Sequence, residues 1–214
     1  MALSKVNFNS LNVTPSASKA LKFNSSNNGL ETGDVGGSLV LISEQTASSS
    51  ANISFTSGID STYKEYIFKF IDVHPQNDGV FLTFQADTGT NTNYNQTITS
   101  THFTAYHFED GSSAAVSYIT GGDQAQGSSF QRASQQIGND SDQAASGSLH
   151  LFDPSNAYRV KQFIVNTASI ANDDGPTNTF SSGYFNTTTA LTRVQFKMSG
   201  GNIDAGTFKM YGVS

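Results

Sequence analysis

The stretch Tyr63-Lys64-Glu65-Tyr66-Ile67-Phe68-Lys69-Phe70-Ile71-Asp72-Val73 carries the strongest secondary-structure signal in the chain. Aromatic side chains recur at every second position, at Tyr66, Phe68 and Phe70, and a period of two is typical of a β-strand. Two isoleucines occupy the alternate positions, so both faces of the strand are largely apolar. A strand of this kind is expected at the centre of a sheet.

Further strand patterns follow at short spacing on both sides of this stretch. Asn77-Asp78-Gly79 predicts a turn, with Val80 to Ala86 as the hairpin partner of the first strand. Thr192 to Met198 alternates apolar and polar residues, and Thr207 to Tyr211 repeats that pattern. About ten strands with turn residues between them, and almost no helical signal, predict an all-β protein. The expected architecture is a two-sheet antiparallel sandwich of jelly-roll type.

The composition indicates a folded protein and excludes several classes of function. Hydrophobic residues are 36% and charged residues 13%, below the usual values of about 45–50% and about 25%. Ser, Thr, Asn and 19 Gly fill the difference, while aromatic residues at 11% argue against disorder. The absence of cysteine excludes disulfides, thiolate zinc sites and cysteine nucleophiles. A net charge of −6 without a basic cluster argues against nucleic-acid binding.

No segment of the chain has the pattern of a membrane or export signal. There is no run of about 18 apolar residues, so no membrane insertion is predicted. The opening Met1-Ala2-Leu3-Ser4-Lys5 lacks the apolar core of a signal peptide. The absence of cysteine suits a protein made in a reducing cytoplasm.

Residues 1–37 differ from the rest and predict an extended N-terminal docking arm. This segment is polar and rich in turn residues, with isolated apolar side chains that are candidate assembly anchors: Phe8, Leu11, Leu21 and Phe23. Such an arm would pack on a neighbouring subunit or a larger assembly, and a frayed terminus is the alternative. Residues 38–214 are predicted to form the sandwich domain.

Two segments of the body have the composition of exposed loops. Residues 121–146 are polar and Gln-rich, which predicts a long exposed excursion. Residues 172–178 contain Asn172-Asp173-Asp174-Gly175-Pro176, a second predicted loop tip.

The sequence contains no recognisable catalytic, cofactor-binding or metal-binding motif. Asp140 and Asp142 alternate in a faintly calcium-like way, but a true calcium loop needs more ligands. Nothing brings the remaining carboxylates into the shared cleft of a glycan-degrading enzyme. The four histidines have no metal-pair spacing: His74, His102, His107 and His150. We expect no catalytic residue, cofactor or metal, and a protein that is not an enzyme.

Three tyrosines are candidates for contact with a ligand. Tyr94, Tyr106 and Tyr118 lie near Asn, Asp and Gly, and their rings combine an apolar face with a polar tip. Exposed aromatic rings of this kind hold sugars in many β-sandwich modules. The alternative is that all three rings are structural.

The chain resembles a family of virion structural proteins of marine tailed bacteriophages, including cyanophages. The resemblance covers nearly the whole length and involves structural segments, not catalytic ones. Its N-terminal half is carried by Lys5-Val6-Asn7, Ala20-Leu21-Lys22-Phe23-Asn24-Ser25, Glu31-Thr32-Gly33-Asp34-Val35-Gly36-Gly37 and Tyr66-Ile67-Phe68-Lys69-Phe70-Ile71-Asp72-Val73-His74-Pro75. Its C-terminal half is carried by Gly183-Tyr184-Phe185-Asn186-Thr187, Gln195-Phe196-Lys197-Met198-Ser199-Gly200-Gly201-Asn202-Ile203-Asp204 and Gly206-Thr207-Phe208-Lys209-Met210-Tyr211-Gly212-Val213.

The resemblance implies a virion component: a capsid decoration, a head fibre or a tail fibre subunit. Its expected partners are other virion proteins and further copies of itself, with a trimer favoured because virion fibres and decorations are usually trimeric. The expected location is the virion, after synthesis in the host cytoplasm. The alternative function is a receptor-binding module whose loops recognise a host-surface polysaccharide.

Overall fold

The computed structural model describes residues 13, 19–26, 28–33 and 38–214. The chain divides into two compact units between Ser38 and Leu39, one residue beyond the predicted domain boundary. The predicted anchors Phe8 and Leu11 lie outside the described residues.

The first unit contains a two-stranded antiparallel hairpin, called here the N-terminal hairpin. Its strands are β1 (Ala20–Phe23) and β2 (Leu30–Gly33). The backbone N–H of Asn24 donates to the carbonyl of Gly29 at 2.9 Å and closes the turn between them. A salt bridge of 3.4 Å joins Lys22 to Glu31 across the two strands.

The second unit consists of thirteen strands, and no helix occurs among the described residues. Six strands precede residue 120: β3 (Leu39–Ser50), β4 (Ile53–Phe55), β5 (Glu65–Pro75), β6 (Val80–Thr88), β7 (Ile98–His107) and β8 (Ala114–Tyr118). The others are β9 (Ala125–Gly127), β10 (Gln131–Ile137), β11 (Ala145–Phe152), β12 (Lys161–Ile170), β13 (Pro176–Phe185), β14 (Leu191–Met198) and β15 (Ile203–Val213).

These strands form two antiparallel sheets. The small sheet has the order β10-β6-β14-β4. The large sheet has the order β3-β15-β5-β11-β12-β13-β7-β8, and β9 also pairs with β7. Every pairing is antiparallel, which confirms the all-β prediction.

The two sheets pack face to face across an aromatic core. Phe84 of the small sheet meets Phe163 of the large sheet with ring centroids 5.2 Å apart. Phe55 and Phe68 make a similar contact at 5.3 Å between β4 and β5. Edge-to-face contacts of this kind add to the gain from burying apolar area. The predicted two-sheet sandwich follows directly from these contacts.

The stretch from Tyr63 to Val73 contains most of β5, which lies inside the large sheet between β15 and β11. Its aromatic face is the inner one, since Tyr66, Phe68 and Phe70 are buried. The other face is the outer surface of the sheet, where Ile71 is 40% exposed and Ile67 9% exposed. The strand is central because both of its edges are paired, while its outer face is covered only in part.

The predicted hairpin between β5 and β6 is wrong. The Asn77-Asp78-Gly79 turn is present, but it carries the chain from the large sheet to the small one. There β6 pairs with β10 and β14. A tight turn signal is local, whereas the choice of strand partner depends on residues far away in the chain.

The predicted exposed excursion over residues 121–146 is also wrong. This segment contains β9, β10 and the start of β11, and Gln131, Ala133 and Ser134 are fully buried. The prediction took polar residues to be exposed. Here the polar side chains form hydrogen bonds between the sheets, and a polar group that is hydrogen-bonded can be buried. The second predicted loop, residues 172–178, is present in part: residues 172–175 lie in the connection between β12 and β13, and residues 176–178 belong to β13.

Candidate functional site

A buried polar cluster fills the space between the sheets where β7, β10 and β13 face one another. Strand β7 turns Ser100, His102 and Thr104 inward, because every second residue of a strand points to the same side. Gln131 of β10 faces them: its Oε1 accepts from Ser100 Oγ at 2.7 Å, and its Nε2 donates to the Gly122 carbonyl at 2.7 Å. The core of the sandwich is thus aromatic in one half and polar in the other.

His102 lies at the centre of the polar cluster and is held in its neutral form. Its Nδ1 lies 2.6 Å from Ser181 Oγ, and its Nε2 lies 3.1 Å from the Gln135 amide nitrogen. An amide nitrogen only donates, so Nε2 accepts and Nδ1 carries the proton. Burial, with a smaller contribution from the positive charge of Arg132, lowers the pKa of His102 to about 4, while Asp123 opposes the shift.

This arrangement predicts a loss of stability in mild acid. An ordinary histidine has a pKa of 6.5, so the unfolded chain takes up a proton before the folded chain does. The contribution of His102 is therefore complete above pH 6.5 and is lost as the pH falls towards 4. The expected loss of unfolding free energy across that window is about 3 kcal/mol. Urea unfolding at a series of pH values measures it.

The matched variants are His102→Gln and His107→Gln. His107 is exposed at the end of β7, so its substitution should leave the pH dependence unchanged. His102→Gln should flatten the dependence between pH 4 and 6.5. An unchanged slope in that variant would show that the buried histidine is not the group responsible.

An open groove of about 230 Å³ lies beside the polar cluster. The rings of Tyr106 and Phe108 form its apolar wall, with centroids 5.3 Å apart. Polar side chains contribute to the lining: Thr104, Gln135, Gln136, Asp173 and Thr177. Ile119, Ala171 and Gly175 complete it. Most of these residues come from β7, from β10 and from the connection between β12 and β13 with its flanking strand. The groove therefore combines one aromatic surface with groups that both donate and accept hydrogen bonds.

A second, acidic depression adjoins the groove and shares Phe108 and Asp173 with it. Its remaining lining residues are Glu109, Asp110, Ser112 and Asp174. Backbone and side-chain donors orient several of these carboxylates: Ser112 N–H donates to Asp110 at 2.8 Å, and Gln143 donates to Asp174 at 2.6 Å. The hydrogen bonds from Ser112 lower the pKa of Asp110. This rim is consequently negative at neutral pH.

The three predicted ligand-facing tyrosines occupy different environments. Tyr94 is only 6% exposed, so the expectation that its ring faces a ligand is wrong. Its backbone N–H donates to the buried Asp87 carboxylate at 2.8 Å. Tyr106 lines the groove, whereas Tyr118 lies on the opposite, outer face of the large sheet and donates to Asp123 at 2.5 Å.

The outer face of the large sheet carries an apolar patch that the sequence analysis did not single out. Phe103 and Phe180 are cross-strand neighbours whose rings stack at 5.1 Å, and each remains about 40% exposed. Val116 and Tyr118 of β8 continue the patch and are 73% and 54% exposed. The sequence pattern places Phe103 on one face of its strand. It does not show that Phe180 and Tyr118 lie beside Phe103, because the pairing of β7 with β13 and β8 joins separate segments of the chain.

The other polar candidates are separated in space. His74 and His150 have different partners, the Asp140 carbonyl at 3.2 Å and the Glu65 carboxylate at 2.6 Å. In the described ranges, no three His, Asp or Glu side chains are grouped in a way that suits a metal ion. Those ranges also include no helical segment with the length and hydropathy needed to cross a bilayer.

Together the features define a class: an antiparallel β-sandwich with an aromatic core, a buried polar cluster and one aromatic groove. Comparisons with protein-family models, with curated proteins and with solved structures found no match.

Proposed function

We propose that the protein is a non-enzymatic bacteriophage virion structural protein that docks through its N-terminal arm. A capsid decoration, a head fibre subunit and a tail fibre subunit all fit this role. The virion assignment rests on the sequence resemblance. The observation that carries the docking mechanism is the exposed apolar face of the N-terminal hairpin.

Successive residues of a strand point to opposite faces, so Leu21 and Phe23 lie on the face opposite the Lys22–Glu31 salt bridge. Leu21 is 42% exposed and Phe23 is 70% exposed, and Phe23 lies opposite Leu30. A two-stranded hairpin is marginally stable in water unless its apolar face packs on something. Two of the four predicted anchors therefore have the exposure that a docking contact requires.

The jelly-roll subtype is part of the same proposal, and the nested strand pairing supports it. Eight strands pair from the outside inward: β3 with β15, β4 with β14, β5 with β11 and β6 with β10. Their two sheet orders are β3-β15-β5-β11 and β4-β14-β6-β10, and the remaining strands extend the first. Jelly rolls occur in viral capsid domains and also in lectins, so the fold is compatible with more than one function.

Partners and location follow from the proposed role. We infer contacts with other virion proteins and with further copies of this chain, a trimer being favoured, and residence in the virion after synthesis in the host cytoplasm. The exposed patch around Phe103, Phe180 and Val116 supports self-association, because large exposed apolar patches often mark protein contacts.

Deletion of residues 1–37 tests the docking mechanism. We expect the truncated protein to fold but to be lost from particles, because the aromatic core lies wholly within residues 39–214. Complementing a mutant phage with tagged variants and blotting purified particles measures incorporation.

A double substitution tests the docking mechanism without a deletion: both exposed apolar residues of the N-terminal hairpin are replaced by serine, Leu21→Ser and Phe23→Ser. We expect incorporation to fall about tenfold or more, since two exposed apolar contacts of this size are lost. Tyr158→Ser is the matched control, because Tyr158 is 90% exposed in the body. Docking through the arm would be contradicted if the double variant, or the protein that lacks residues 1–37, were incorporated into particles at the normal level.

The second candidate function is a receptor-binding module that recognises a host-surface polysaccharide. The groove lined by Tyr106 and Phe108 favours it, since this groove opens beside the loop tip at 172–178. Both functions are compatible with one virion protein.

A further inference from the structure

The groove beside the polar cluster has the properties of a small-ligand site. Its volume of about 230 Å³ is below the range of about 300–1,000 Å³ that holds drug-sized ligands. It therefore suits a single ring of a larger molecule. One wall is aromatic, and the remaining lining combines amide, hydroxyl and carboxylate groups with the apolar side chains of Ile119 and Ala171.

We propose that this groove binds one uncharged hexose unit of a glycan and discriminates against acidic sugars. The inference rests on the receptor-binding candidate function and names the site and ligand class for it. A pyranose has an apolar face of C–H groups and a ring of hydroxyls. The groove offers a matching pair of surfaces, an aromatic one and a polar one.

The aromatic wall supplies the apolar contact. Tyr106 and Phe108 are each partly exposed at the end of β7, and their rings are tilted by 43° to each other. Both rings line the groove and present an apolar surface to it. An apolar sugar face packed there loses its contact with water, and this burial is favourable.

Two polar groups in the groove are available for a ligand. No hydrogen bond involves the Tyr106 hydroxyl or the Gln136 side-chain amide within the described part of the chain. By contrast, Gln135 is engaged with His102 and Thr177 Oγ1 with Ser169 Oγ. A hydroxyl and an amide both donate and accept, which is what recognition of sugar hydroxyls requires.

The charge of the rim sets the specificity. Asp173 lines the groove itself, while Glu109, Asp110 and Asp174 line the adjoining depression. A uronic or other acidic sugar would add a like charge at short distance, which is unfavourable. An uncharged hexose avoids this repulsion, and its hydroxyls can donate to the carboxylates.

An array of immobilised oligosaccharides tests the proposal with the full chain. The probes are glucose, galactose and mannose oligomers and the matched glucuronate and galacturonate oligomers. We expect binding to at least one uncharged series, with a dissociation constant then measured by calorimetry. Absence of binding to every uncharged series would overturn the proposal, and so would a preference for the acidic series.

Two variants assign the binding to this groove. Tyr106→Ala should weaken the affinity about tenfold or more, as expected for loss of one stacked ring. Tyr118→Ala is the control, since that tyrosine lies on the opposite face of the sheet. Unchanged affinity in Tyr106→Ala would overturn the assignment.

A third variant tests the charge argument without removing the ring. Asp173→Asn retains the oxygen that accepts the Gly175 N–H and should raise the affinity for uronate oligomers while retaining hexose binding. An unchanged exclusion of uronates would contradict the role of the rim. Particle incorporation of the same variants should stay normal, so failure of glycan binding is distinguishable from failure of virion docking.

Discussion

Replacing Phe196 with alanine is expected to cost about 3–5 kcal/mol of unfolding free energy. Phe196 is fully buried on β14, in the layer between the sheets. Its ring contacts five other phenyl rings, at centroid distances from 5.4 to 6.5 Å: Phe55, Phe68, Phe70, Phe84 and Phe208. Truncation would leave a cavity that no neighbour can fill without breaking another ring contact.

Urea unfolding of the purified protein at neutral pH measures this loss. Tyr158→Ala is the control, because a side chain that is 90% exposed should change stability by no more than about 0.5 kcal/mol. If Phe196→Ala cost less than about 1 kcal/mol, the two sheets would not be held together by this aromatic core.

The second large effect is expected at Gly147, where β11 crosses the interior of the large sheet. A Cβ atom there would overlap the Asn166 carbonyl and would lie 2.9 Å from the Thr167 Cα and 2.8 Å from the Phe70 ring. Two of these neighbours are backbone atoms of β12, so they cannot move aside without disturbing the strand pairing. We expect Gly147→Ala to destabilise the protein by about 1–3 kcal/mol.

The matched substitution is Gly200→Ala in the turn between β14 and β15. There the nearest atom to a new Cβ is Val80 Cγ1 at 3.5 Å, an ordinary contact. Its expected effect is within about 0.5 kcal/mol. Thermal or urea denaturation of the two variants side by side gives the comparison. Equal effects would mean that the close approach of β11 and β12 at Gly147 is absent.

Local periodicity was sufficient to predict the strands that line the aromatic core. Thr192 to Met198 predicted Val194, Phe196 and Met198 on the inner face, and all three are buried. The alternation is reliable there because one face is strongly apolar and the other carries hydrogen-bonding groups. The prediction holds for β14 because its pattern needs no knowledge of distant residues.

The polar half of the sandwich could not be predicted in the same way. Strand β10 contains Gln131, Ser134 and Gln135, which have no apolar period. They are accommodated because β7 brings Ser100 to Gln131 and His102 to Gln135. Ser134 Oγ accepts from the backbone N–H of Leu82 on β6. These hydrogen bonds join segments that are far apart in the chain, so the pattern of a single segment does not predict them.

The candidate groove was also predicted only in part. Tyr106 was identified from its residue type and its neighbours, and it does line the groove. Gln136 and Asp173 were not identified as parts of one site, because they belong to separate segments that only the fold brings together. The burial of Tyr94 was likewise not predicted, because the residue lies outside the strands and has no alternating pattern around it.

We propose that the N-terminal hairpin docks the protein on the virion and that the groove of residues 39–214 recognises a glycan. The two functions are measured independently, docking by incorporation into particles and recognition by glycan affinity. Variants that impair one function should therefore leave the other unaffected, because the hairpin belongs to a separate compact unit.

The most direct test of the central claim is gold-labelled antibody imaging of intact, purified phage particles. The antibody is raised against the body, residues 39–214, so that the docking segment does not have to be accessible. The account predicts gold at regular positions on the particles, over the capsid for a decoration or head fibre and at the tail for a tail fibre. Particles that carry no label, from lysates in which the antibody detects the protein, would contradict the virion assignment.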